Sequence, residues 1–329
     1  MKRHWLFLAL GTAILAGCSG GSTSDTGDKG SSNAPAQTEK KLVVGFSQIG
    51  AESAWRTANT QSIQDEAAKR GIDLKFSDAQ QKIENQIKAI KGFIAQKVDV
   101  IAFSPVVETG WEAVMQEAKE AGIPVFVSDR RPAVSEDLYV TFIGSDFIKE
   151  GEMAAEWLTK KMDGKATIAE LTGTPGSAPA NDRRTGFANY IKNHPDMKVV
   201  FSQTGEFTRA KGKEVMEALL KSPDGAKITA LYAHNDDMAL GAIQAIEEAG
   251  KKPGVDIIIV SIDGVKDAFQ AMIDGKLNCT VECNPLLGPP LFDAIEKMRK
   301  GETLPKRTIM VDGIFDASVA AAEMPNRKY

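Results

Sequence analysis

Residues 228–264 read ITALYAHNDDMALGAIQAIEEAGKKPGVDIIIVSIDG, and the order of residue types in them decides the fold class. Residues 228–232 form a short apolar and β-branched run, suited to a strand buried on both faces. Asn235, Asp236 and Asp237 follow at once, the side chains that cap a helix N-terminus and match its dipole. A helix is expected over 236–248, closed by Gly250 with Pro253 just beyond. A second apolar run at 256–262 then ends in Asp263-Gly264. Strand, helix and strand in so short a span make one crossover unit of a parallel sheet.

The alternation continues on both sides. Upstream, strands are expected at 42–47, 72–77, 98–103, 123–128 and 139–143, with helices over 54–70, 81–96 and 111–120. The helix over 81–96 sets Ile83, Ile87, Ile90 and Ile94 along one stripe. A second run has helices over 148–162, 178–192 and 209–220, strands at 166–171 and 197–202, and then the quoted unit. A helix over 265–273, a strand at 278–282 and a helix over 286–299 complete it. Right-handed crossovers turn each run into an open sheet, so the fold class is α/β with two doubly wound parallel-sheet lobes. The length of 329 residues agrees, because one core is stretched at that size. A hydrophobic share of 43% with 26% charged residues is ordinary for a globular chain, and a net charge of −4 argues against nucleic acid as a partner.

The first forty residues read as an address and a tether. Lys2 and Arg3 precede an apolar stretch over 5–16, too short at about 1.5 Å per residue to cross a hydrocarbon layer of about 30 Å. This is the pattern of a secretory signal over 1–17. Leu15-Ala16-Gly17-Cys18 is similar to a bacterial lipobox, which implies a lipidated Cys18 as the mature N-terminus. Residues 19–40 lack large apolar side chains and read as a flexible linker spanning about 25 Å. Cys279 and Cys283 would stand about 13 Å apart on a strand, beyond the reach of a disulfide, and read as reduced packing residues.

In open α/β sheets, ligands lie beyond the carboxyl ends of the strands. Those ends carry Glu52, Ser53, Trp55 and Arg56; Asp129 and Arg130; the loop Thr172–Ser177 leading to Arg183; Phe207; Asn235; Asp263; and Glu282. Aromatic faces cover the C–H face of a sugar ring, while Asp and Arg form charge-assisted bonds to hydroxyls. Mixed signs argue against a dedicated anion or cation site. Duller readings exist for single features: Asn235 as a helix cap, Asp129-Arg130 as an ion pair, Trp55 as core, and Gly173 to Gly176 as an anion nest. His234 has no second His or Cys at metal-ligand spacing, and neither metal nor cofactor is expected.

The runs Val125–Arg130, Tyr232–Ala242 and Ser261–Gly264 resemble the bacterial sugar-binding proteins that feed ABC importers, in the ribose/galactose-type cluster. The likeness covers about 41–311, and the segments Val44–Gly50, Glu52–Arg56 and Phe207–Glu217 bring it nearest to the galactofuranose-binding members. It implies the periplasmic-binding-protein type I arrangement, with lobes 41–144 plus 283–311 and 145–282 plus 312–329. Three crossings near Ser145, Glu282 and Val311 would form the hinge. It also implies that Glu52, Ser53, Trp55, Arg56, Asp129, Arg130, Arg183, Phe207, Asn235 and Asp263 bind ligand, together with Glu282 near a hinge crossing. Ribose-type members carry two aromatics where this chain has Trp55-Arg56, so a furanose offering a hydroxyl to Arg56 is expected. The expected partners are a monosaccharide, an ABC permease and a membrane reached through the lipid anchor, with the protein exported and monomeric.

Other readings share these residues: an arabinofuranose or pyranose binder, or a sugar sensor for a chemoreceptor or kinase. A glycoside hydrolase using Glu52 and Asp263 is a rival from another class. Neighbouring arginines are expected to hold both carboxyls low, which is wrong for a general acid.

Overall fold

The computed structural model describes residues 41–329. The expected signal over 1–17, the expected lipidation site Cys18 and the expected linker to residue 40 lie outside the described residues. In chain order the elements are β1 (Val43–Gln48), α1 (Ala54–Lys69), β2 (Asp73–Asp78), α2 (Ile83–Ala95), β3 (Val100–Phe103), α3 (Glu112–Glu120), β4 (Val125–Ser128) and β5 (Phe142–Gly144). Next come α4 (Phe147–Lys161), β6 (Ala166–Thr172), α5 (Ala178–Ile191), β7 (Met197–Thr204), α6 (Arg209–Leu220), β8 (Ala230–Ala233), α7 (Asp236–Glu248) and β9 (Ile258–Asp263). The chain closes with α8 (Lys266–Ile273), β10 (Cys279–Glu282), α9 (Gly288–Arg299), β11 (Arg307–Ile309), β12 (Ile314–Asp316) and α10 (Ala320–Glu323).

Two six-stranded sheets result, in the orders β11-β5-β4-β3-β1-β2 and β12-β10-β9-β8-β6-β7. The five strands that follow one another in each run take the same order, and all of them pair in parallel. The first strand of each run thus sits between the second and the third. That reversal is the topological switch point, where crossover helices leave on opposite faces and a crevice opens at the strand ends.

The first sheet is covered on one face by α1 and α9, through Ile63, Leu291, Phe292 and Ile295, and on the other by α2 and α3, through Ile90, Phe93, Val114 and Met115. The second sheet forms one continuous core with α4 to α8. Trp55 starts the helix that covers the first sheet, yet its ring belongs to the second core.

Three corrections to the expected elements concern the C-terminal stretch. β11 and β12 were not expected, nor was α10. Each strand has three residues, too few for alternation to register, and each is an edge: β11 runs parallel to β5, β12 antiparallel to β10. Cys279 and Cys283 are free and buried, as expected.

Candidate functional site

The carboxyl ends of both sheets face one cavity of about 290 Å³. Ten of the eleven expected residues line it: Glu52, Ser53, Trp55, Arg56, Asp129, Arg130, Arg183, Phe207, Asn235 and Asp263. Phe147, Pro179 and Cys283 complete the wall.

The first lobe supplies a charged floor. Ser53 caps α1 by accepting from the Arg56 amide at 3.1 Å, which places Trp55 and Arg56 in the first turn, facing the cavity. The Arg56 guanidinium donates to Asp129 Oδ2 at 2.6 Å and to Glu52 Oε1 at 3.0 Å. Its remaining nitrogen reaches Gln48 Oε1 at 3.3 Å. Arg130 donates to the Val106 carbonyl at 3.0 Å and lies 3.6 Å from Glu52 Oε1. Burial pulls Arg130 down to about 10, and the nearby Arg56 charge adds to the effect. Burial alone would raise the Glu52 carboxyl, but Arg56 and Arg130 overcome it and leave it below its ordinary value.

The second lobe answers with one arginine. Arg183, on α5, donates to Glu150 Oε2 at 2.7 Å and to the His234 carbonyl at 2.5 Å, and its third nitrogen lies 3.6 Å from Asp263 Oδ1. Gly151 and Gly186 let α4 and α5 approach so closely that a Cβ on either would strike backbone of the other helix. That contact brings Glu150 within reach of Arg183. Burial pushes the Asp263 carboxyl well up, only partly opposed by Arg183. This corrects the expectation that neighbouring arginines hold both Glu52 and Asp263 low: it stands for Glu52 and fails for Asp263, where desolvation wins.

Aromatic faces fill the space between the charges. The Arg130 and Arg183 guanidinium carbons lie 5.2 and 5.9 Å from the Phe207 ring centroid, and Arg183 lies 5.2 Å from that of Phe147. Trp55 donates its indole N–H to the Cys283 carbonyl at 2.6 Å, fixing the ring plane across the cleft. Three wall residues carry positive φ: Asp129 at 62°, Phe207 at 62° and Asp263 at 135°. Side chains of this size rarely adopt such backbone, and strain of about 1–3 kcal/mol each persists only where the surroundings over-determine it.

Several features differ from their sequence reading. Glu282 does not line the cavity: its carboxylate accepts from Arg327 at 2.7 Å, the Tyr329 hydroxyl at 2.9 Å and the Gly313 amide at 3.2 Å. It ties down the C-terminal segment. Gly173 is no anion nest, because a Cβ there would overlap the Phe207 ring; the glycine makes room for it. Asn235 is a helix cap, accepting from the Met238 amide at 3.0 Å, and lines the cavity as well. Cys283 is a wall residue in addition to a packing one. Phe147 and Pro179 lie in the first turns of α4 and α5, beyond the strand-end loops that drew attention, so no signal in their own identity marked them. His234 is fully buried, with Nε2 3.1 Å from Glu170, and no cluster of three or more metal-ligating side chains occurs among the described residues.

Two atoms in the floor, Glu52 Oε2 and Arg130 Nε, are buried without a hydrogen-bond partner in the protein. An acceptor and a donor of this kind, amid three arginines, three carboxylates and three aromatic rings, form a chamber matched to a small uncharged molecule rich in hydroxyls.

Two doubly wound lobes closing on such a chamber define a two-lobed solute-binding protein. The chain belongs to the periplasmic binding protein domain family, whose model matches residues 44–286. It is 51% identical over 291 residues to the galactofuranose-binding protein YtfQ of Escherichia coli strain K12, covering 87% of this chain and 92% of that one. Among solved structures it is similar to the binding component of the arabinose ABC transporter of Shewanella sp. ANA-3, bound to α- and β-L-arabinofuranose. The TM-score is 0.85 at 54% identity, over 87% of this chain and 96% of that one. A Mycobacterium smegmatis protein in complex with β-D-fucofuranose matches with a TM-score of 0.85 at 54% identity, over 88% and 95% of the two chains.

Proposed function

We propose that the chain captures one neutral monosaccharide in its furanose form and delivers it, chemically unchanged, to the permease of an ABC importer. The observation that carries this reading is the convergence of Arg56, Arg130 and Arg183 with Glu52, Asp129 and Asp263 on one chamber of about 290 Å³. Each of the three arginines already meets a carboxylate or carbonyl of the protein, which disfavours a charged ligand. Relatives that bind galactofuranose, arabinofuranose and fucofuranose support the five-membered ring, and Arg56 offers a fork to hydroxyls held on it.

On this reading the lobes comprise 41–144 with 283–311 and 145–282 with 312–329, hinged near Ser145, Glu282 and Val311. The ligand stabilises the closed form because only then do both lobes reach it. The membrane enters through a lipid on Cys18, with residues 19–40 as tether, so that the binding body stays near the permease on the outer side of the cytoplasmic membrane. The described residues contain no helix long and apolar enough to cross a membrane.

Calorimetry with L-arabinose and D-galactose, whose solutions contain furanose forms, tests the reading. Asp129→Ala, Arg183→Ala and Asp263→Ala are each expected to weaken binding at least about tenfold, the factor that goes with roughly 1.4 kcal/mol. Unchanged affinity in all three would remove the chamber from the function. NMR of the recovered sugar is expected to show it unaltered; product formed from a furanoside would favour the hydrolase instead.

A further inference from the structure

α1 starts with Ala54 and has no acidic residue in its own first turn, although that turn carries two walls of the chamber, Trp55 and Arg56. The positive end of its dipole is met from the other lobe. Asp237, in the first turn of α7, accepts from the Ala54 amide at 2.7 Å through Oδ2. Its second oxygen accepts from Arg209 Nε at 3.0 Å, and Arg209 also donates to Asp267 at 2.9 Å. Asp237 is only 5% exposed and does not line the chamber. The N-termini of α1 and α7 therefore meet across the cleft with one carboxylate between two like-signed helix ends, an arrangement favourable to the charge and unfavourable without it. The Ala54 amide has no partner inside its own helix, so when the lobes part it passes to water.

On the opposite lip the lobes meet by ordinary surface bonds. The Glu108 amide donates to the Gly176 carbonyl at 2.9 Å, Asn181 donates to Glu108 at 2.6 Å, and Arg131 donates to Asp182 at 3.1 Å. The lip at Ala54 differs because it acts on the helix that positions Trp55 and Arg56.

We infer that Asp237 is a closing latch: a positioning residue that caps α1 only when the lobes are shut, and so sets how long the bound ligand is held. The inference rests on the binding function proposed above, and goes beyond it in assigning the lifetime of the complex to a residue outside the chamber. A latch absent from the open form acts on dissociation, leaving the encounter of ligand with the open cleft unchanged.

The experiment has two arms. Stopped-flow tryptophan fluorescence of the full chain with L-arabinose or D-galactose is expected to show a dissociation rate about tenfold faster in Asp237→Ala and intermediate in Asp237→Asn, which keeps an acceptor but loses the charge, with association within about twofold. Asp267→Asn, which removes a charge from Arg209 without touching Ala54, is expected to change neither rate by more than about twofold. In the second arm, hydrogen exchange at saturating sugar is expected to show faster exchange of the Ala54 amide in Asp237→Ala than in the wild type, with the rest of α1 unchanged and with no difference at Ala54 when sugar is left out. Equal dissociation rates in wild type and Asp237→Ala, an equal acceleration by Asp267→Asn, or unchanged Ala54 exchange would each overturn the latch. If neither sugar binds the wild type, the function proposed above falls, whereas sugar binding together with any of those three outcomes overturns the latch alone.

Discussion

Phe207 stands in the left-handed region at φ 62° with its ring against Gly173, and the pair shows how a single position serves the chamber. A methyl group at Gly173 would occupy space the ring already fills. Gly173→Ala is therefore expected to displace Phe207 from between Arg130 and Arg183 and to weaken sugar binding more than about tenfold. Glu282 gives the opposite case. Its carboxylate holds Arg327, Tyr329 and Gly313, so Glu282→Ala is expected to cost about 1–3 kcal/mol of stability in a denaturant titration. Sugar affinity should stay within about threefold, and a larger loss would return Glu282 to the chamber. Residues after strand ends were legible because the fold class alone says where ligands sit. Phe147, Pro179 and Cys283 were not, because each has an adequate local reason to be where it is: an early helix position, a helix-start proline, a small apolar packing group. The positive φ of Asp129 and Asp263 was likewise invisible, since local preference favours glycine there and only the tertiary surroundings impose it.

At the scale of elements, the alternation of strand and helix was legible because ten strands and nine helices carry their own period or cap. The short edges β11 and β12 are made by pairing with neighbours distant in sequence, β11 with β5 and β12 with β10. Between these two strands lies Asp312, which accepts from the Asn284 amide at 3.2 Å and so links two of the segments passing between the sheets. Burial raises its carboxyl to about 6, against hydrogen bonds from Ser145 and Asn284 that lower it. A carboxyl raised above its ordinary 3.8 stabilises the fold in its protonated form. That contribution is complete below about pH 4 and is lost as pH rises through about 6. Asp312→Asn keeps a neutral side chain at every pH. Relative to wild type it is expected to gain stability between pH 4 and pH 7, by on the order of 2 kcal/mol, as read from denaturation midpoints at each pH. A constant difference across that range would show that Asp312 titrates normally in the fold.

The whole molecule repeats one device twice: two sheets of the same strand order whose carboxyl ends supply opposing walls. Neither wall suffices alone. The first lobe brings Glu52, Arg56, Asp129 and Arg130, the second Arg183, Phe207, Asn235 and Asp263, and a ligand seated among them joins two bodies that otherwise share only crossings and lips. Ligand binding should therefore appear as stability of the entire chain rather than of one lobe. At a sugar concentration one hundred times the dissociation constant, mass action adds about 2.7 kcal/mol. For a chain of this size that amounts to a rise in Tm of roughly 4 °C in a single transition. The engagement of all three arginines by protein acceptors makes the effect selective for charge, because a phosphate would bring two negative charges beside Glu52 and Asp129 into a chamber with no unengaged cation. L-Arabinose and D-galactose are expected to raise Tm in differential scanning calorimetry, their phosphate esters are not, and Arg183→Ala is expected to abolish the rise. A sugar phosphate that stabilises as much as its parent sugar would show that the chamber carries net positive charge, and the ligand class would have to be redrawn.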